Sequence, residues 1–174
     1  MTTRVALVGL SGSGKTTVGR ALAAALRAPF VDLDEIIEET YGASVPDIFS
    51  RRGEAGFRAL ETEALTRVAS RPGAMVLSAG GGVVLRPENR ELLRRGFTVV
   101  WLDATPAILA DRLKGVHNRP LLGEDPAHDL MQMFEEREMF YAEVAHHRLE
   151  STDETTEAGQ VRRIQSLLNR ASES

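Results

Sequence analysis

Gly9-Leu10-Ser11-Gly12-Ser13-Gly14-Lys15-Thr16 decides the reading of this chain. It follows an apolar run, Val5-Ala6-Leu7-Val8, and leads into Thr17–Arg27, where Val18, Leu22 and Leu26 recur at helical spacing. Strand, glycine-rich turn, Lys-Thr and helix together are the context that makes G-x-x-x-x-G-K-[ST] a phosphate-binding loop. The alternative is a Gly/Ser turn that only joins strand to helix, and spacing and context both argue against it. Glycines let successive backbone N–H groups curl around an anion, and the helix behind them adds unpaired donors and the positive end of its dipole. Gly12, Ser13, Gly14, Lys15, Thr16 and Thr17 are therefore the expected phosphate site, with Lys15 reaching the β- and γ-phosphates and Thr16 ligating Mg²⁺. Composition makes the same point. Only Lys15 and Lys114 among the 21 basic residues are lysines, and a compact ammonium fits between phosphate oxygens where a planar guanidinium does not. The expected ligand is ATP.

On either side of this loop, short apolar runs alternate with amphipathic stretches, the pattern of β-α units around a mostly parallel sheet. Strands are expected at Arg4–Val8, Phe30–Asp32, Met75–Ala79, Thr98–Leu102 and Arg148–Glu150. Helices are expected at Thr16–Arg27, Asp34–Tyr41 (stopping at Gly42), Val45–Arg51 (opened by Ser44 and Pro46), Glu54–Ser70 and Glu88–Arg95. Three more follow: Ala107–Leu113 (capped by Thr105 with Pro106), Ala127–Ala145 and Glu157–Asn169. Residues 114–125 hold no sustained period and read either as an active-site lid or as a slack surface connection; Arg119 and Leu121-Leu122 favour the lid.

One compact domain over residues 1–174 is expected from the length. A net charge of -4 gives no nucleic-acid-binding surface, and the absence of cysteine excludes disulfides and thiolate metal sites. No leader pattern and no apolar run of membrane length is apparent, so a cytoplasmic enzyme is expected.

Several residues stand out as chemistry. Asp32 and Asp34 end the second strand, where alternation puts both carboxylates on one side at the ligand-binding edge. The third strand ends Ser78-Ala79-Gly80 without an acid, so Asp32 is expected to support Mg²⁺. Asp34 can accept a proton from an acceptor hydroxyl or cap the helix it precedes, and the two are compatible. Gly80-Gly81-Gly82 follows the third strand and suggests close approach of backbone to ligand, with a tight turn as the alternative. Arg58 shares a helix face with Glu61. Arg137, inside Glu135-Glu136-Arg137-Glu138, reads equally as a site residue or as part of a solvated ion-pair face. Arg51, Arg52, Arg67, Arg90, Arg94, Arg162 and Arg163 read as solvated helix faces. Trp101 reads as core, and Leu130, Met131 and Phe134 as one apolar helix face.

Taken in order, Gly9–Thr16, Asp32-Leu33-Asp34, Phe57-Arg58-x-x-Glu61, Gly80–Gly82, Asn118-Arg119-Pro120-Leu121-Leu122 and Arg137-x-x-x-Tyr141 resemble the shikimate kinase family from Val5 to about Leu168. The resemblance implies a three-layer α/β/α P-loop NTPase fold with a five-stranded parallel sheet and a mobile lid. It implies Mg²⁺-dependent transfer of the ATP γ-phosphoryl group to the 3-hydroxyl of shikimate, in chorismate and aromatic amino-acid biosynthesis, by a monomer. Carried over by position, Lys15, Asp34 and Arg119 are catalytic, and Arg119 and Arg112 also contact ATP, Arg112 by stacking on adenine. Thr16 and Asp32 serve the metal; Asp34, Arg58, Gly80, Gly81, Gly82 and Arg137 bind shikimate. Where some members carry an arginine after the last strand, this chain has Thr152-Asp153-Glu154-Thr155. The rival readings are another small-molecule kinase on the same scaffold, such as a gluconate kinase, and an ATP-dependent switch.

Overall fold

The computed structural model describes residues 3–114, 122–123, 125–152 and 154–172. Five parallel strands run β1 (Arg4–Val8), β2 (Phe30–Asp32), β3 (Met75–Ser78), β4 (Thr98–Ala104) and β5 (His147–Ser151), side by side in the order β2-β3-β1-β4-β5. The strand preceding the phosphate loop is therefore central, paired with β3 (Val5 opposite Val76) and with β4 (Val5 opposite Thr98).

Successive side chains of a strand point to opposite faces, and here each face has its own core. Val5 and Leu7 pack with Val76, Val100 and Leu102 beneath α1 (Lys15–Leu26) and α7 (Glu157–Ser172). Ala6 and Val8 pack with Leu77, Val99 and Trp101 on the other face. That face is covered by α2 (Leu33–Tyr41), α3 (Val45–Ala69), α4 (Pro87–Gly96), α5 (Pro106–Arg112) and α6 (Pro126–Val144). The result is the three-layer α/β/α arrangement, with the inner strands β1 and β3 buried on both sides and apolar apart from Arg4 and Ser78. Trp101 is core, 2% exposed. No helix among the described residues is long and apolar enough to cross a membrane.

Most expected elements stand within a residue or two of their expected bounds, and four readings change. The two helices expected at Val45–Arg51 and Glu54–Ser70 form one helical run broken at Gly53, whose φ of 68° and ψ of 178° no helix contains. Gly82 leads into a short 3-10 turn, Val83–Leu85, that the sequence did not signal. Met131 is 48% exposed, so it leaves the apolar face on which Leu130 is buried and Phe134 half-buried. Arg90 is pinned rather than solvated: it donates to the Val84 carbonyl (2.9 Å), pairs with Glu143 (2.9 Å) and lies over the Phe140 ring.

Candidate active site

Gly9, Gly12 and Gly14 carry φ of 144°, 83° and 94°, backbone that an L side chain rarely adopts, and they turn the chain from β1 into α1. At Gly9 the turn also leaves no room, since a Cβ would stand 2.5 Å from the Leu102 carbonyl oxygen. Lys15 Nζ donates to the carbonyl oxygens of Gly9 (2.8 Å) and Leu10 (2.9 Å), folded over the loop it serves. A cavity of about 240 Å³ opens here, lined by Gly12, Gly14, Lys15, Thr16, Thr17 and Arg112 together with Asp32, Asp34 and Ser78. Ser13 is turned inward and buried instead. Arg112 reaches the Gly12 carbonyl at 3.4 Å from an exposed position.

The Asp32–Asp34 pair is arranged differently from expectation. β2 ends at Asp32 and α2 begins at Leu33, so strand alternation does not align the two acids. Asp32 itself is the cap: its Oδ1 accepts the Asp34 N–H at 3.1 Å. Its Oδ2 accepts from Thr16 Oγ1 at 2.8 Å, and Ser78 Oγ lies 3.4 Å from that same hydroxyl. Capping thus leaves Asp34 at the head of α2, half-buried, with its carboxyl facing the site.

A second cavity, about 460 Å³, adjoins the first. Its floor is Gly80–Gly82, and Arg58, Glu61 and Arg137 project into it, with Val45, Pro46, Phe49, Phe57 and Met133 as apolar wall. Ser11, Asp34, Gly80 and Gly81 line both cavities, so Asp34 stands at their seam. Arg58 is 7% exposed and Arg137 5% exposed. Arg137 therefore turns into the cavity while Glu135, Glu136 and Glu138 face solvent, which removes the ion-pair-face reading. Arg58 Nη1 donates to Glu61 Oε2 at 2.9 Å, and its Nε and Nη2 reach Glu54 on the rim at 3.3 and 3.2 Å. Burial pushes the Glu61 carboxyl up to about 7 against the opposing pull of Arg58.

The glycine triplet has a reason the sequence did not reveal. A Cβ on Gly80 would lie 2.5 Å from Glu61 Oε1, and one on Gly82 would fall inside the Arg58 guanidinium. Gly80 and Gly82 are small because charged side chains of the site lie against them, whereas a Cβ on Gly81 would meet nothing nearer than 3.5 Å. Tyr141 holds this stretch from behind. Its ring stacks on Trp101, its hydroxyl donates to the Gly81 carbonyl, and burial raises its pKa. Ser11, Ser78 and the apolar wall from the start of α3 are site residues that sequence reasoning did not single out; only the position of Ser78 at the end of a core strand pointed to it. Arg119 and most of the expected lid lie outside the described residues.

A cavity of phosphate-binding chemistry, joined at one carboxyl to a cavity with two buried arginines, is the arrangement of a kinase for a small anionic acceptor. The shikimate kinase family model matches residues 11–169. The chain belongs to the shikimate kinase family. A shikimate kinase of Symbiobacterium thermophilum is 51% identical over 148 residues, spanning 83% of this chain and 84% of that one. One of Burkholderia pseudomallei is 47% identical over 148 residues, 84% of this chain and 80% of the relative. Among solved structures, shikimate kinase from Acinetobacter baumannii in complex with shikimate superposes with a TM-score of 0.94 at 38% identity, covering 98% of this chain and 95% of that one. A gluconokinase from Sinorhizobium meliloti reaches 0.61 at 21% identity, covering 98% of this chain and 94% of its own. That likeness shows the shared fold alone. Within the shikimate kinase family the chain is an ATP-dependent kinase, and its five-stranded parallel sheet with flanking helices is the family's fold.

Proposed function

We propose that the protein transfers the γ-phosphoryl group of ATP to the 3-hydroxyl of shikimate. The observation that carries this reading is the seam: Asp34, Ser11, Gly80 and Gly81 are common to the phosphate-loop cavity and to the cavity that holds Arg58 and Arg137. Phosphoryl transfer asks chiefly for positioning and charge stabilisation, and these two cavities present both reactants to one carboxyl.

The acceptor's carboxylate lies between Arg58 and Arg137, whose forked donors recognise a planar anion and reject a neutral polyol. Arg58 is pre-set for this by Glu61 and Glu54. The acceptor hydroxyl lies toward Asp34, whose carboxylate takes the hydroxyl proton as the oxygen–phosphorus bond forms. The bond from γ-phosphorus to the bridging oxygen breaks and ADP leaves. Gly12–Thr17 hold the phosphates through backbone N–H groups, and Lys15 exchanges its bonds to the Gly9 and Leu10 carbonyls for phosphate oxygens. Arg112 flanks the nucleotide, and Arg119 is assigned to the phosphates from its place in the sequence. The donors around Thr16 fit magnesium. The Thr16 hydroxyl, the Asp32 carboxylate and the Ser78 hydroxyl form a cluster of hard oxygens, suited to an ion that takes one or two protein ligands beside water and phosphate. When bound there, the ion supplies charge neutralisation on the phosphates.

The test is product identity. Incubation with ATP, magnesium and shikimate, followed by phosphorus–proton correlation NMR, is expected to show one new phosphate ester coupled to the proton at carbon 3. Coupling at another carbon contradicts the acceptor geometry, and inorganic phosphate as the sole product contradicts the transfer.

A further inference from the structure

The Glu61 carboxyl is wholly cut off from solvent. Oε2 accepts from Arg58, but Oε1 is buried with no hydrogen-bond partner among the described residues. Glu61 Oε1 and Asp34 Oδ1 both lie against Gly80: a Cβ there would stand 2.5 Å from the first and 3.2 Å from the second. The groups that face Glu61 are few. Its own helix brings Arg58, with Glu54 behind it; α2 brings Asp34; α6 brings Arg137 and the Tyr141 phenol; Gly80–Gly82 brings no charge. Away from water, two cations thus already face two carboxyls, while Glu54 holds Arg58 from the half-exposed rim.

On the reading above, the acceptor adds a third carboxyl that claims the same two arginines. Three anions against two buried cations is an imbalance that low dielectric makes costly. Of the groups present, Glu61 is the one poised to remove it. Its unpaired oxygen can take a proton, and burial already holds its pKa at about 7. We infer that binding of shikimate is coupled to uptake of a proton from solvent by Glu61, so that a neutral Glu61 and the substrate carboxylate share Arg58. The proton adds to the Glu61 carboxylate and no other bond changes. Two cations then face two anions, the substrate carboxylate and Asp34.

The coupling has a sign and a size. Below pH 7 Glu61 is protonated before binding and little is taken up; above pH 7 each binding event must collect a proton. Uptake is expected to be roughly half a proton at pH 7 and to approach one at pH 8, and Kd for shikimate to rise about five- to tenfold between pH 6 and pH 8. Titration calorimetry of the intact protein with shikimate, in phosphate and in Tris, reads the uptake directly from the difference in heat. Glu61→Gln keeps a side-chain oxygen for Arg58 and cannot titrate, so its binding is expected to show equal heats in both buffers and a flat Kd. Equal heats for the wild type across pH 7 to 8, proton release, or uptake that persists in Glu61→Gln each overturn the coupling. If Glu61→Gln does not fold, the wild-type comparison of buffers decides by itself. Failure of shikimate to bind at pH 6 overturns the substrate assignment, and the coupling falls with it, whereas binding without buffer dependence overturns the coupling alone.

Discussion

A methyl group on residue 82 would occupy the space of the Arg58 guanidinium. Since a guanidinium sits at the end of a flexible side chain, Gly82→Ala is expected to displace it rather than unfold the chain. The expected result is a KM for shikimate raised about tenfold, equivalent to ~1.4 kcal/mol, with the KM for ATP little changed. Gly96→Ala, whose Cβ meets nothing within 4 Å and which lines neither cavity, serves as the control in the same steady-state assay. Arg58→Ala goes further, because it removes a buried charged donor from the acceptor and strands Glu61. KM for shikimate is expected to rise by about two orders of magnitude, the range for truncating a buried charge pair, and nearly unchanged shikimate kinetics contradict the assignment. Asp34→Asn is expected to act on turnover instead, lowering kcat by roughly 10²–10⁴-fold with shikimate affinity largely kept. Turnover within a few-fold of wild type means that another group takes the proton. At this scale the strand, glycine turn and helix around Gly9–Thr16 were legible in the sequence, because glycines and a lysine at that spacing answer to a local rule, whereas the inward turn of Ser13 was not. The reason for Gly80 and Gly82 was not, because the side chains that crowd them, Glu61 and Arg58 of α3 and Asp34 of α2, come from well earlier in the chain.

The elements place those side chains, and Gly53 shows how. Its φ of 68° with ψ of 178° breaks the α3 run. The stretch before it holds Val45, Pro46 and Phe49, which form the apolar wall, and the stretch after it presents Arg58 and Glu61. No atom lies within 4 Å of where a Cβ on Gly53 would stand, so the cost of a side chain there is backbone strain alone. Gly53→Ala is expected to destabilise the protein by about 1–3 kcal/mol, which in a chain of this size lowers Tm by roughly 3–10 °C. A thermal melt unchanged from wild type contradicts the strain argument. Caps and breakers made the element boundaries readable: Thr105 accepts from the Ile108 N–H, Ser44 from the Asp47 N–H, and Gly42 closes α2 in left-handed backbone. Non-local devices left no such mark. His146, just before β5, donates its backbone N–H to the Val99 carbonyl while its ring Nδ1 accepts the Val99 N–H. A side chain there completes a ladder that the sequence pattern describes only as backbone.

Across the molecule, the order β2-β3-β1-β4-β5 puts the phosphate loop at the centre of the sheet and the ends of β2 and β3 beside it. The alternation of β and α elements predicted a parallel sheet, but strand order depends on which crossover lies next to which, a property of packing that no single stretch encodes. The same packing buries Glu61, a residue type that is normally exposed, and so adds a pH-dependent contribution to the stability of the fold. Because the folded protein raises its pKa to about 7, the folded state binds more protons than the unfolded state between the ordinary glutamate range and pH 7. Stability from this group is therefore highest at low pH and is lost as pH rises through 7. The stability of wild type relative to Glu61→Gln, taken from urea midpoints, is expected to fall between pH 5 and pH 8; a constant difference contradicts the raised value.

ADP release by the intact protein, measured with ATP and magnesium in the presence of shikimate, of gluconate, or of no acceptor, tests the central claim most directly. Release that depends on shikimate, with gluconate indistinguishable from no acceptor, is the predicted result. Equal release with gluconate, or release that needs no acceptor at all, contradicts the account.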